Sequence, residues 1–87
     1  MFPVLFKALS DEKRRDILVL LKNGPMSAGS LAKELNIAPT KLTYHLNILK
    51  EADLIIEYKV KNFVYFEQNT TLLDEAILWL SKVKREE

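Results

Sequence analysis

The stretch "APTKLTYHLNILKEADLI", residues 38–55, decides how the chain is read. Leu42, Leu46 and Leu49 recur at i, i+4 and i+7, the spacing of one buried stripe on an α-helix. Pro39 suits the first helical position, where a missing N–H costs nothing. Thr40, Tyr44 and Asn47 fall nearly opposite the stripe, with Lys41 and Thr43 on its flanks. A face that is merely solvated usually carries Glu and Lys four residues apart. This one carries short hydroxyls and an aromatic ring in its first turns, the side chains of a surface that reads something. His45 lies at the edge of the stripe and is the only histidine. One imidazole without partners makes neither a metal site nor a general-base pair, so a structural or phosphate-contacting role is expected.

Upstream, residues 2–9 form a short apolar helix, and Ser10 is placed to cap a second helix that begins with Asp11 and Glu12. Ile17, Leu18, Leu20 and Leu21 continue it until Asn23-Gly24-Pro25 stops the run. Ser27 caps a third helix of barely two turns, with Leu31, Ala32 and Leu35 inward. Downstream of Asp53-Leu54 the apolar period changes. "LIIEYKV" (54–60) and "FVYFE" (63–67) read as two strands, and Lys61-Asn62 as a tight turn in which Asn62 takes a positive φ. Tyr58, Phe63, Tyr65 and Phe66 are expected to pack within this ribbon and against the helices. Thr71 and Asp74 suggest a capping pair for a last helix bearing Leu72, Leu73, Ala76, Ile77, Trp79, Leu80 and Val83, apolar over too wide an arc for one buried stripe. The fold class is therefore mainly α with a small two-stranded antiparallel sheet. Two short helices, the second amphipathic and followed at once by a hairpin, make a winged helix-turn-helix, expected as a single domain over residues 1–87.

Composition narrows the function. A chain of 87 residues buries only about 60–65% of its unfolded surface, so a partner subunit is the natural source of more. The absence of cysteine excludes disulfides, thiolate metal sites and a cysteine nucleophile. "MFPVLF" is too short for a signal-peptide core, and Lys7 and Ser10 interrupt it before a membrane-length run develops, so a soluble, cytoplasmic protein without membrane insertion is expected. There is no glycine-rich phosphate loop and no nucleophile–base pairing, hence no enzyme. The net charge is +1, from 13 basic and 12 acidic residues. Affinity for nucleic acid must then come from local placement.

In a winged helix-turn-helix the second helix of the motif enters the major groove. Thr40, Lys41, Thr43, Tyr44 and Asn47 hold the reading positions, and Lys59, Lys61 and Asn62 would meet phosphate or the minor groove. This predicts a homodimeric, sequence-specific DNA-binding transcriptional repressor on an inverted-repeat operator, with half-sites about 34–36 Å apart or a small multiple of it. The weak local charge motivates a second reading, a winged-helix protein-interaction module or adaptor without sequence-specific DNA binding.

"FKALSDEKRRDILVLL", "MSAGSLAKELNIAPTKLTYHLNILKEADLI" and "VKNFVYFEQNTTLL" resemble the arsenical-resistance-repressor (ArsR) family of small winged-helix repressors over nearly the whole chain. The carrying motifs are Ala8-Leu9-Ser10-Asp11, His45-Leu46-x-x-Leu49 and Val64-Tyr65. "HLNILK", "NTT" and a tryptophan-bearing last helix are similar to the metal-free sporulation-delay autorepressor subgroup. The resemblance implies a homodimer joined through the first and last helices, with Phe2, Leu5, Phe6, Leu73, Ile77 and Leu80 at the interface. The subgroup also implies autoregulation and a sequestering membrane partner protein. Metal-sensing members often place cysteines where this chain has Met26, Ser27 and Ala28, or histidines on the last helix, which here holds only Asp74 and Glu75. No metal and no cofactor are therefore expected. A wing-tip glycine frequent in the family is missing, with Lys61 near its place.

Overall fold

The computed structural model describes residues 2–86 as five helices and three strands. They run α1 (Pro3–Leu9), α2 (Glu12–Leu21), β1 (Met26–Ser27), α3 (Ala28–Leu35), α4 (Pro39–Glu51), β2 (Ile55–Val60), β3 (Phe63–Gln68) and α5 (Thr70–Val83). The sheet is three-stranded and antiparallel in the order β1-β3-β2, which corrects the two-stranded expectation. The extra strand is two residues long, Met26 opposite Phe66 and Ser27 opposite Tyr65, too short for any alternation to show in sequence.

Helix starts follow local chemistry, with two shifts. Asp11, not Ser10, caps α2, its carboxylate accepting from the Lys13 N–H at 2.8 Å, while the Ser10 hydroxyl donates back to the Lys7 carbonyl at 2.6 Å. Asn69, not Thr71, caps α5. Ser27 caps α3 as its sequence implies. Gly24, at φ 133°, makes the bend after α2 that an L side chain resists.

The ends of α3 and α4 share one device. Asn36 (φ 52°) and Asp53 (φ 58°) turn left-handed, and the next N–H reaches back to the helix, Ile37 to Ala32 and Leu54 to Leu49. These are Schellman ends built without glycine. The first aims α4 across α3; the second turns α4 into β2 and drops Leu54 into the core.

The core gathers Leu5 and Ala8 from α1, Ile17, Leu18 and Leu21 from α2, Leu31 from α3, the α4 stripe Leu42, Leu46 and Leu49, then Leu54, Ile55, Phe66 and Ala76. Each large aliphatic residue buried this way contributes roughly 1.5–3 kcal/mol. Gln68 fastens the hairpin base to α2, its side-chain N–H donating to the Leu18 carbonyl at 2.7 Å. Phe2 packs edge-on against Trp79 with ring centroids 5.8 Å apart, pinning α5 to α1.

An L residue in the left-handed region costs about 1–2 kcal/mol, less for Asp or Asn. Asp53→Gly is therefore expected to raise the unfolding free energy by about 0.5–1 kcal/mol and Asp53→Val to lower it by more, read as shifts in the urea midpoint.

Candidate nucleic-acid interface

Every reading residue expected on α4 is exposed: Thr40, Lys41, Thr43, Tyr44 and Asn47. The helix presents them because Leu42, Leu46 and Leu49 hold its opposite side in the core. Its N-cap is Ala38, which has no side-chain oxygen, so the first-turn N–H groups stay open to an incoming anion at the positive helix end. By contrast α2, α3 and α5 have their first turns occupied by Asp11, Ser27 and Asn69. Thr43 is partly committed: its hydroxyl donates to the Pro39 carbonyl at 3.0 Å, leaving a methyl group and an acceptor oxygen facing outward.

His45 sits beneath this surface with 2% of its area exposed. Arg14 of α2, itself 7% exposed, donates from Nη1 to His45 Nδ1 at 3.1 Å. The same guanidinium donates from Nε to the Ala8 carbonyl at 2.7 Å and from Nη2 to the Lys7 carbonyl at 3.3 Å, at the C-terminal end of α1. Arginine only donates, so Nδ1 must accept and the ring proton resides on Nε2. That nitrogen is buried and has no hydrogen-bond partner among the described residues. The Tyr44 ring meets the imidazole edge-on, centroids 5.2 Å apart, so a frame residue braces a candidate reading residue.

The imidazole is held neutral. Burial lowers its pKa from 6.5; Asp11 opposes this, and Arg14, Lys41 and Lys13 add to it. Asp11 shows the reverse balance. Desolvation pushes its carboxyl up, but the Lys13 and Arg14 N–H bonds and the charge on Arg14 outweigh it, and the pKa falls below 3.8.

Arg14 was not singled out as a site residue, yet the pattern contains it. On α2, Arg14 precedes Ile17, Leu18 and Leu21 at i, i+3, i+4 and i+7; on α4, Leu42, His45, Leu46 and Leu49 repeat the spacing. Each buried stripe carries one polar member, and the two meet.

On the wing, Lys59, Lys61 and Asn62 are exposed. Lys61, not Asn62, takes the positive φ, 57°, so lysine adopts at the tip the conformation that glycine would supply. Lys50 is engaged with Glu57 at 2.7 Å, which neutralises that carboxylate. Phe66 is buried as expected, but Phe63 is 62% exposed rather than packed.

The terminal helices divide. Phe2 and Leu5 point into the chain's own core and Leu73 is half-buried, so of the expected interface residues Phe6, Ile77 and Leu80 remain open. Val4, Leu78 and Val83 join them. Trp79 lies against Phe2 and Phe6. Among the described residues no three His, Cys, Asp or Glu side chains group as a metal site, and no helix is long and apolar enough to cross a membrane. A cleft between α1 and the end of α4, lined by Phe2, Val4, Leu5, Ala52 and Leu72, encloses about 230 Å³, below the ~300–1,000 Å³ of small-molecule sites.

An exposed, side-chain-uncapped second helix followed by a hairpin defines a winged helix-turn-helix of the DNA-binding class. A helix-turn-helix domain profile matches residues 9–58. The chain is 46% identical to the transcriptional repressor SdpR of Bacillus subtilis over 76 residues, 87% of this chain and 84% of that one. It is 33% identical to the arsenical resistance operon repressor of the same organism, across 93% and 82% of the two chains. An ArsR-like transcriptional regulator from Rhodococcus sp. RHA1 superposes with TM-score 0.86 at 31% identity, covering 92% of this chain and 73% of that one. The chain belongs to the ArsR family of winged helix-turn-helix transcription regulators.

Because folding holds His45 neutral below its ordinary value of 6.5, the unfolded chain takes up the proton first as pH falls. Stability is full above pH ~7 and declines from there toward the folded pKa. Replacing His45 by Asn keeps an acceptor for Arg14 and removes the titration. The urea midpoint is expected to fall as the pH drops below about 7 in the parent and to stay nearly flat over the same range in His45→Asn.

Proposed function

We propose that the protein is a homodimeric, sequence-specific DNA-binding repressor that acts in the cytoplasm by occupying a promoter without a metal. The observation that carries this reading is the outer face of α4. Five residues able to contact bases or phosphates stand exposed over a buried leucine stripe, at a helix start with no side-chain cap. Threonine methyls meet thymine methyl groups, Lys41 donates to guanine acceptors or phosphate, and Asn47 reaches adenine or phosphate one turn on. Lys59, Lys61 and Asn62 extend the contact from the wing. The relatives named repressors support the direction of control.

The dimer rests on the open faces of α1 and α5. Phe6, Ile77, Leu78, Leu80 and Val83 leave an apolar surface that water would otherwise cover. The protomer is also elongated, with a radius of gyration of 14.0 Å, against about 12 Å for a compact chain of its length. A two-fold pairing of α1 and α5 faces covers that surface and sets two α4 helices on an inverted repeat.

Operator retention by a palindromic duplex selected from random sequence tests the reading. Tyr44→Ala is expected to cost about 1–3 kcal/mol in operator binding and relax preference at one base step. Lys41→Ala is expected to weaken binding to all sequences and reduce the salt slope by about 1. Lys41→Ala is not expected to move the thermal midpoint, because its side chain faces solvent, and Tyr44→Ala is expected to lower it only by the loss of the edge-on contact with His45.

For the interface, Leu80→Glu is expected to convert a dimer mass in light scattering to a monomer mass and to abolish operator retention at the same concentration. A parent protein that scatters as a monomer at micromolar concentration would refute the assignment.

A further inference from the structure

The hairpin has an outer face that neither the core nor the proposed DNA contact uses, and an edge that meets that contact only at Lys59. From the strand register, Ile56 pairs with Glu67, Tyr58 with Tyr65 and Val60 with Phe63, all on the side away from the core. Ile56 (45%), Val60 (48%) and Phe63 (62%) are exposed, and Tyr58 stacks on Tyr65 between them at 6.1 Å. Beside this face runs β2, the outer strand of the β1-β3-β2 sheet. The Asn69 N–H donates to the Leu54 carbonyl at 2.9 Å, so the even-numbered residues of β2 exchange the ladder hydrogen bonds with β3. The backbone groups of Ile55, Glu57 and Lys59 therefore point outward, and no backbone hydrogen bond outside the ladder reaches them among the described residues.

We propose that the β2 edge docks an extended protein segment that alternates apolar and acidic residues and adds to the sheet as a fourth strand. Side chains on the outer side of such a strand lie beside Ile56, Tyr58 and Val60, and call for apolar partners. Side chains on its other side lie beside Glu57 and Lys59. Glu57 is already neutralised by Lys50, whereas Lys59 has no ion pair among the described residues, so the unmet charge is positive and selects an acid. DNA does not fit the outer face, which bears no Lys or Arg and one carboxylate, Glu67. A second copy fits poorly as well. The exposed apolar strip amounts to roughly 300 Å², taking about 150–250 Å² for a whole aromatic side chain, against ~800 Å² per partner in a stable dimer. A further two-fold at the wing would also string dimers together. An added strand needs less area because main-chain hydrogen bonds supply affinity. Occupation of the edge covers Lys59, so on the DNA-binding reading above the segment competes with the operator and provides a route to release.

Two nine-residue peptides, one alternating Val with Glu and one alternating Val with Lys, are titrated into the isotopically labelled full chain without DNA. The acidic peptide is expected to slow amide exchange at Glu57 and Lys59 and to bind about tenfold more tightly than the basic one. Lys59→Glu is expected to reverse that preference. Glu57→Pro, which removes an outward N–H and spares the ladder, is expected to abolish both interactions while helical circular dichroism is retained. Absence of amide protection by the acidic peptide overturns the proposal, as does a preference unchanged in Lys59→Glu, or light scattering that shows the edge occupied by another copy. Saturating acidic peptide is further expected to weaken operator binding about tenfold; edge binding with operator affinity intact overturns the competition. Failure of the peptide-free protein to retain any operator would instead count against the DNA-binding reading, since amide protection is read without DNA.

Discussion

A guanidinium that is nine-tenths buried has to be satisfied on every side, and the way Arg14 is satisfied organises this protein. Two of its donors close the carbonyl end of α1 and a third holds His45 in α4. Three helices are thereby fixed by one side chain. Removing one partner of a buried charged contact typically costs about 3–5 kcal/mol, because the other is left stranded in a low dielectric. The arrangement tolerates the cation because it sits at the negative end of a helix dipole and against an imidazole kept neutral by burial. The helix α1, with its exposed apolar residues, and the helix α4, with its candidate reading residues, are thus held by a single rigid fork.

With a net charge of +1, this chain has little long-range pull on DNA, and recognition has to come from where charges are left unpaired. The Lys50–Glu57 pair removes one carboxylate from the vicinity of α4 at the expense of one lysine. The uncapped start of α4 adds partial positive charge without a side chain. On α4 and the wing, Lys41, Lys59 and Lys61 then stand exposed and without an ion pair among the described residues. The wing compensates for its missing glycine by letting Lys61 take the left-handed conformation, which places a charge at the turn itself.

Much of this was legible because apolar spacing speaks directly about burial. The stripe on α4, the hairpin after Asp53, the Ser27 cap and the over-apolar last helix are local patterns, and the structure repeats them. The helix starts that differ from expectation are decided over short distances by competing donors and acceptors. Asp11 rather than Ser10 caps α2 because the serine hydroxyl is drawn back to Lys7, and Asn69 rather than Thr71 begins α5. Phe63 looked like packing because aromatic residues usually pack, but its register places it on the sheet face with nothing above it.

The sequence by itself determined the order of the five helices and the hairpin, the face of α4 that is buried and therefore the face that is free, because helical periodicity is an intrachain property. Tertiary structure alone decided that Arg14 and His45 meet, that Met26–Ser27 forms a third strand against β3, and that Phe2 and Leu5 turn inward while Phe6, Ile77 and Leu80 stay open. Each of these depends on contacts between residues far apart in the chain, such as the 31-residue separation between Arg14 and His45. A periodic pattern states that a side chain is buried; only the packed fold states against what.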